Sequence, residues 1–220
     1  MFEILLLRIM AGTIVQCVMV GDNGCGKTCA AELFTARTMP TQYTPTLHGV
    51  AYKTQVTIDN QPITLELWDT PGQADYENRR ALYYHLADVV LMVFNMVDRS
   101  TLENARSKWF QEVRRHIKDV PIVLAGMQKD RVDDTNFKVP SDGYVMSMES
   151  HIEKIRDNVI RPALYRTCST LQNVGVDELF ENIVETGLKF QQENQEKLPT
   201  DWQHQMANIV QVTTRPLVDH

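Results

Sequence analysis

Thr13-Ile14-Val15-Gln16-Cys17-Val18-Met19-Val20-Gly21-Asp22-Asn23-Gly24-Cys25-Gly26-Lys27-Thr28-Cys29-Ala30-Ala31-Glu32-Leu33-Phe34 decides the reading of this chain. Its first eight residues are apolar and β-branched, as a buried strand requires. Residues 21 to 28 fit G-x-x-x-x-G-K-[ST], and residues 28 to 34 make a plausible helix. Strand, glycine loop and helix in that order aim backbone N–H groups and the positive end of a helix at a phosphate. Lys27 then reaches β/γ-phosphates, and the Thr28 hydroxyl can ligate Mg²⁺. Four fixed positions recur by accident in roughly one chain in a hundred of this length, so the flanking context carries the argument.

At 220 residues, 43% hydrophobic, the chain fits one α/β domain with a tail. A formal net charge of −6 argues against nucleic acid as a partner. Cys17, Cys25, Cys29 and Cys168 lack metal-ligand spacing and read as reduced thiols of a cytoplasmic protein. The apolar start, Met1 to Met10, is too short to span a bilayer and has no basic flank for a secretory signal. A small extra strand or helix and a start at Met10 fit it equally well.

Outward from the decisive stretch, Met39 to Thr46 reads as an exposed loop. Val50 to Ile58 and Ile63 to Trp68 alternate as two strands joined by the turn Asp59-Asn60-Gln61-Pro62. The continuous apolar run within Asp88 to Met96 suits the middle of a parallel sheet. Ser100 or Thr101 is expected to cap a helix running to His116, followed by a strand over Val120 to Ala125. Residues 131 to 148 read as a loop or irregular insert. Glu149 to Val159 looks helical, Ala163 to Cys168 resembles a last strand, and Val176 to Phe190 closes as an amphipathic helix. The implied fold is a three-layer α/β/α P-loop NTPase domain with a mostly parallel six-stranded sheet. It spans residues 13–190, between an extension (1–12) and a tail (191–220) expected to fray. Within the tail, Trp202, Met206 and Ile209 fall at helical spacing.

Trp68-Asp69-Thr70-Pro71-Gly72-Gln73 closes a strand. There Asp69 can support Mg²⁺, the Gly72 N–H can sense a γ-phosphate and Gln73 can orient an attacking water. Met127-Gln128-Lys129-Asp130 follows another strand, at the sheet end where such folds bind ligands. A carboxylate accepting two N–H donors from guanine gains roughly 1.5–3 kcal/mol per bond, and adenine offers no such pair. Asp130 would therefore select guanine. A dinucleotide-binding fold fails, because the glycines at 21, 24 and 26 do not make G-x-G-x-x-G. A P-loop kinase or ATPase leaves Asp130 and Thr46 without a reason.

With these motifs in order, the chain resembles the Ras-superfamily small GTPases over about residues 13 to 190. Within them it looks like the Rho/Rac branch, on Gly21-Asp22, Tyr43-Thr44-Pro45-Thr46, Asp75-Tyr76, Lys108-Trp109-Phe110-Gln111-Glu112-Val113-Arg114 and Thr167-Cys168-Ser169. The segment from Asp130 to Cys168 is longer than the Ras connection by about the extra helix of Rho proteins, though its sequence is unlike that helix. The resemblance implies a GTP/GDP site formed by Asn23, Gly24, Cys25, Gly26, Lys27, Thr28, Cys29, Met39, Tyr43, Thr46, Gly72, Gln128, Lys129, Asp130, Ser169 and Thr170. It further implies Mg²⁺ at Thr28, Thr46 and Asp69, and Gln73 as the catalytic residue. Thr46 and Gly72 would be held by the γ-phosphate and released after hydrolysis. Effectors would dock through residues 39–50 and 70–84, with an exchange factor and a GTPase-activating protein as further partners.

Departures from the family pattern bear on mechanism. Asn23 stands where relatives have glycine, so a side chain crowds Gln73 and any inserted arginine finger, and slow hydrolysis is expected. Met39 replaces a phenylalanine stacked over guanine, Gln128 an asparagine and Thr170 a small alanine; each loosens the base end, and fast GDP release is expected. Alternatively, Met39 still packs on the base and Gln128 changes rotamer. Pro71 replaces an alanine, and Leu47-His48-Gly49-Val50 differs from the relatives' effector segment. No C-a-a-X cysteine ends the sequence, so a prenyl anchor is not expected and membrane recruitment would go through partners or the N-terminus. Gln73 favours an enzyme; Asn23 favours a nucleotide-bound interaction module that does not hydrolyse GTP.

Overall fold

A computed structural model describes residues 14–42, 44–134 and 152–196. Among these described residues, six strands form one sheet in the order β2-β3-β1-β4-β5-β6. They are β1 (Ile14–Val20), β2 (Val50–Ile58), β3 (Gln61–Asp69), β4 (Val89–Asn95), β5 (Ile122–Met127) and β6 (Leu164–Thr167). Only β2 and β3 pair antiparallel; every other neighbour is parallel. The helices are α1 (Lys27–Ala36), α2 (Glu77–Tyr84), α3 (from Arg99 to His116), α4 (Lys129–Asp133), α5 (helical residues 152–160) and α6 (Val176–Glu196).

Alternation along β4 explains the three layers. Val89, Leu91 and Val93 pack with Ala30, Leu33, Phe34, Phe180 and Ile183, on the side covered by α1 and α6. Val90, Met92 and Phe94 pack with Leu102, Trp109 and Val113 of α3 on the other. The six β4 side chains from Val89 to Phe94 are fully buried, which is why the strand reads as an unbroken apolar run. Phe34 and Phe180 stack with centroids 4.5 Å apart, tying α1 to α6.

Several boundaries differ from the sequence expectation, each for a local reason. The β2–β3 turn is Asp59-Asn60 alone, with φ of 48° and 62°. Two left-handed residues make a tight hairpin turn matching strand twist, so Gln61 and Pro62 pair with Ile58 and Thr57 inside the ladder. Asp98, not Ser100 or Thr101, caps α3: its carboxylate accepts from the Ser100 N–H at 3.0 Å. Thr101 instead turns its hydroxyl back to the Asp98 carbonyl. Strand β5 begins at Ile122 and runs through Met127, because its register is set by Val90↔Ile122 and Asn95↔Met127. Helix α6 continues past Phe190 to Glu196. Of the insert, residues up to Asp133 continue α4; residues 135–151 lie outside the described residues, as do the N-terminal extension, Tyr43 and Trp202, Met206 and Ile209.

Parallel order places the ends of β1, β3, β4, β5 and β6 along one edge. Strand β1 is the switch point, flanked by β3 and β4. The loops after β1, β3, β5 and β6 all open there, where sheets of this kind bind ligands.

Candidate functional site

The loop after β1 is built around Lys27, 5% exposed, the first residue of α1. Its ammonium donates to the Gly21 and Asp22 carbonyls at 2.8 and 2.9 Å, and lies 3.9 Å from the Cys25 sulfur. Gly26 caps the helix with φ of 104°, a conformation a side chain would strain. These carbonyl contacts fix the cation under the loop and leave Gly24 and Asn23 exposed above it.

Thr28, Thr46 and Asp69 converge from three separate elements. Asp69 Oδ2 accepts from Thr28 Oγ1 at 2.6 Å and Thr46 Oγ1 at 3.1 Å, while the two hydroxyl oxygens are 3.2 Å apart. Asp69 Oδ1 is buried without a partner. Burial raises the carboxyl pKa, opposed by the Thr28 and Thr46 hydrogen bonds and Lys27. An all-oxygen set with one uncompensated carboxylate oxygen fits a hard divalent cation such as Mg²⁺. Among the described residues, no cluster of three or more His, Cys, Asp or Glu competes for that role.

A cleft of about 330 Å³ runs over this cluster, lined by Asn23, Gly26, Lys27 and Thr28 on one side and Pro40, Gln42, Thr44 and Thr46 on the other. Cys29 and Glu32 also reach it, and burial pushes the Cys29 thiol up. All four cysteines are free thiols.

The segment after β3 is held by side chains from elsewhere. The Gly72 N–H donates to Asn23 Oδ1 at 3.1 Å, and a Cβ on Gly72 would stand 2.5 Å from the Asn23 nitrogen. Arg80, fully buried on α2, donates through Nη1 to the Pro71 and Gln73 carbonyls at 2.8 and 2.6 Å. Its other nitrogens make a bidentate pair with Glu112 of α3, both bonds 2.7 Å. Burial works against the Arg80 charge, but the Glu112 bonds and charge outweigh it and raise the pKa. Gln73 is thus fixed through its backbone, at the start of the short 3₁₀ turn Ala74–Tyr76.

Asp22 anchors the loop after β1 to α3. Its carboxylate accepts from Trp109 Nε1 at 3.1 Å and Asn104 Nδ2 at 2.8 Å. Trp109 lies on a π-helical stretch of α3, Ala105–Trp109, a local widening that often marks functional positions. From the same stretch Lys108 reaches the Gly72 carbonyl at 3.4 Å, and burial lowers its pKa.

A second cluster lies after β5 and β6. Ser169 Oγ donates to Asp130 Oδ1 at 2.6 Å and accepts from the Gln172 N–H at 3.0 Å. The Lys129 N–H donates to the Cys168 carbonyl at 3.0 Å, stitching the two loops together. Gln128 adopts a left-handed conformation, φ 66°, with its buried Oε1 unpartnered. The Lys129 ammonium pairs with Asp133. Thr170 is half-buried, and Met39 is 38% exposed.

The structure therefore brings Asn23, Gly26, Lys27, Thr28, Thr46, Asp69 and Gly72 to one centre and Gln128, Lys129, Asp130, Ser169 and Thr170 to another. Gly26 and Met127 bridge them, since a Cβ on Gly26 would lie 3.4 Å from the Met127 side chain. Met39 is not part of the cleft wall. Sequence reasoning missed the Arg80–Glu112 brace and the Asp22 anchor. Arg80 sits in the polar run Glu77-Asn78-Arg79-Arg80, where nothing distinguishes a buried arginine from an exposed one except its place four residues before Tyr84. The family model described as Ras family matches residues 16–189, well over half of the chain.

Proposed function

The chain belongs to the Ras family, whose members are small GTPases that bind guanine nucleotides and act as switches; from that premise we propose that it is an atypical, Rho-like switch with slow GTP hydrolysis and fast nucleotide exchange. The observation that carries the reading is the meeting of Thr28 and Thr46 on Asp69, beside the Lys27 ammonium. Thr46 comes from the loop before β2, and its contact with the cation site couples that loop to the nucleotide. Mg²⁺ bound there would screen phosphate charge; Lys27 would bind and orient the β/γ-phosphates, and Asp130 would read the base.

Three features support the kinetic half. Asn23 occupies the mouth of the cleft and contacts Gly72, so it crowds the space next to Gln73. That disfavours both water alignment by Gln73 and entry of an arginine finger, which in GTPases is worth about 10³–10⁵ in rate. Gln128 leaves its buried oxygen unpartnered, and Met39, 38% exposed, offers a base a flexible thioether rather than a rigid ring. The Rho-like motifs favour a role in actin cytoskeleton or trafficking, with effectors meeting residues 39–50 and 70–84. Leu47 and Leu82, 51% and 72% exposed, give those segments apolar contact area. A cytoplasmic location, with membrane contact through partners, fits this role.

Denaturing the freshly purified protein and identifying the released nucleotide tests the reading. Mostly GTP is the expected result. Mostly GDP contradicts slow turnover with quick exchange, and no guanine nucleotide at all contradicts the switch itself. A second reading, a GTP-bound module that never hydrolyses, draws on the Asn23–Gly72 contact; single-turnover kinetics separate it from slow hydrolysis.

A further inference from the structure

The three carbonyls of residues 71–73 and the Gly72 N–H are already engaged. Arg80 holds the carbonyls of Pro71 and Gln73, Lys108 reaches the carbonyl of Gly72, and Asn23 takes the Gly72 N–H. Pro71 has no N–H to offer, so the Gly72 amide is the first donor this turn presents toward the phosphate loop. An N–H has one hydrogen, and Asn23 Oδ1 stands 3.1 Å from it. The backbone at Asn23 is close as well: the Gly72 Cα approaches so tightly that an added Cβ would fall 2.7 Å from the Asp22 carbonyl carbon. Asp22 is in turn fastened to Trp109 and Asn104, so the acceptor sits on an anchored loop.

We propose that Asn23 is a built-in latch for the second switch. Its side-chain amide oxygen supplies, from the protein itself, the acceptor that a γ-phosphate would otherwise offer to the Gly72 N–H. The segment 70–76 then stays in one arrangement with either guanine nucleotide, and the Thr46 loop alone reports the γ-phosphate. Partners that recognise residues 70–84 meet the same surface in both nucleotide states, whereas partners that need residues 44–50 do not. The proposal rests on the reading of the chain as a GTPase switch.

Contacts to the first switch point the same way. Among the described residues, Thr46 is tied through hydroxyl contacts to Thr28 and Asp69, both of which would be re-partnered by a bound cation. Gly72 is tied through groups that a cation does not touch. Differential contact is what lets a ligand shift a conformational equilibrium, and here it is concentrated on one of the two segments.

Amide hydrogen exchange by ¹⁵N NMR on the full chain tests this, with Mg²⁺ and either GDP or the non-hydrolysable analogue GppNHp. Guanine content is measured in each sample. In the native protein, protection of residues 70–76 should agree within about twofold between the two nucleotides, while residues 44–50 differ by more than roughly tenfold. In Asn23→Ala, which lacks the acceptor, protection at Gly72 in the GDP form should fall by roughly tenfold and recover with GppNHp. Asn23→Asp keeps an acceptor oxygen and should keep the protection. Native protein whose residues 70–76 change as much as residues 44–50 overturns the latch, as does Asn23→Ala that matches the native protein with GDP. Samples that carry no guanine nucleotide overturn the switch reading and the latch together.

Discussion

Two buried side-chain oxygens in this site lack partners, one at each end, and they mean different things. Asp69 Oδ1 sits at the end proposed for the phosphates, where its sister oxygen accepts from Thr28 and Thr46 and Lys27 stands close by. Its isolation is what a divalent cation would relieve. Gln128 Oε1 sits at the base end, among backbone contacts that serve Lys129 and Ser169 but not the amide. A buried oxygen left so costs free energy until a donor reaches it, and a divalent cation is not the group that would supply one. The phosphate end is fastened by side chains from α2 and α3 as well as by its own loop. The base end depends on Asp130 and Ser169.

The comparison breaks most severely at the Arg80–Glu112 brace. Glu112→Ala leaves a fully buried guanidinium without its carboxylate, and losing one member of such a pair typically costs about 3–5 kcal/mol. Urea unfolding should show a loss of that order, and a change under 1 kcal/mol would mean the phosphate end is not braced from α3. At the base end, Asp130→Ala should weaken GDP binding by at least about a hundredfold, from the loss of two charge-assisted bonds worth about 1.5–3 kcal/mol each. Unchanged affinity in equilibrium titration would remove the base end from the site.

Asn23→Gly opens the mouth of the cleft. Single-turnover GTP hydrolysis should accelerate by roughly tenfold or more, given the scale of arginine-finger and water-positioning effects. Equal rates would show that Asn23 does not crowd the reaction. Smallest is Gln128→Asn, which shortens the side chain and should slow release of a fluorescent GDP by several-fold, about 1 kcal/mol. An unchanged or faster release would place the looseness elsewhere.

Much of this was legible in the residues, and for a reason. Parallel strands buried on both faces announce themselves as apolar runs, and a glycine loop between strand and helix has a fixed spacing, so β1, α1 and β4 stand out. Lys27, Thr28, Asp69 and Asp130 each carry chemistry that little else in their context explains. Tertiary contacts are another matter. The Arg80–Glu112 pair joins residues 32 apart in sequence, and Asp22 meets Trp109 across 87. Neither separation leaves a local pattern. The cap at Asp98 and the two-residue turn at Asp59-Asn60 were misplaced because Ser, Thr, Asp and Asn compete for the same positions, and backbone geometry decides among them. Asn23 was legible as an obstruction but not as an acceptor, since its partner becomes visible only when β3 is placed beside β1.

The central claim is that a guanosine phosphate together with Mg²⁺ organises Thr28, Thr46 and Asp69. Isothermal titration calorimetry of nucleotide-stripped protein tests it most directly, with GDP added in the presence and absence of Mg²⁺ and with ADP alongside. Uptake of GDP that tightens with Mg²⁺, and no measurable uptake of ADP, is the predicted result. Folded protein that takes up no GDP, or that takes up GDP and ADP alike without regard to Mg²⁺, would contradict it.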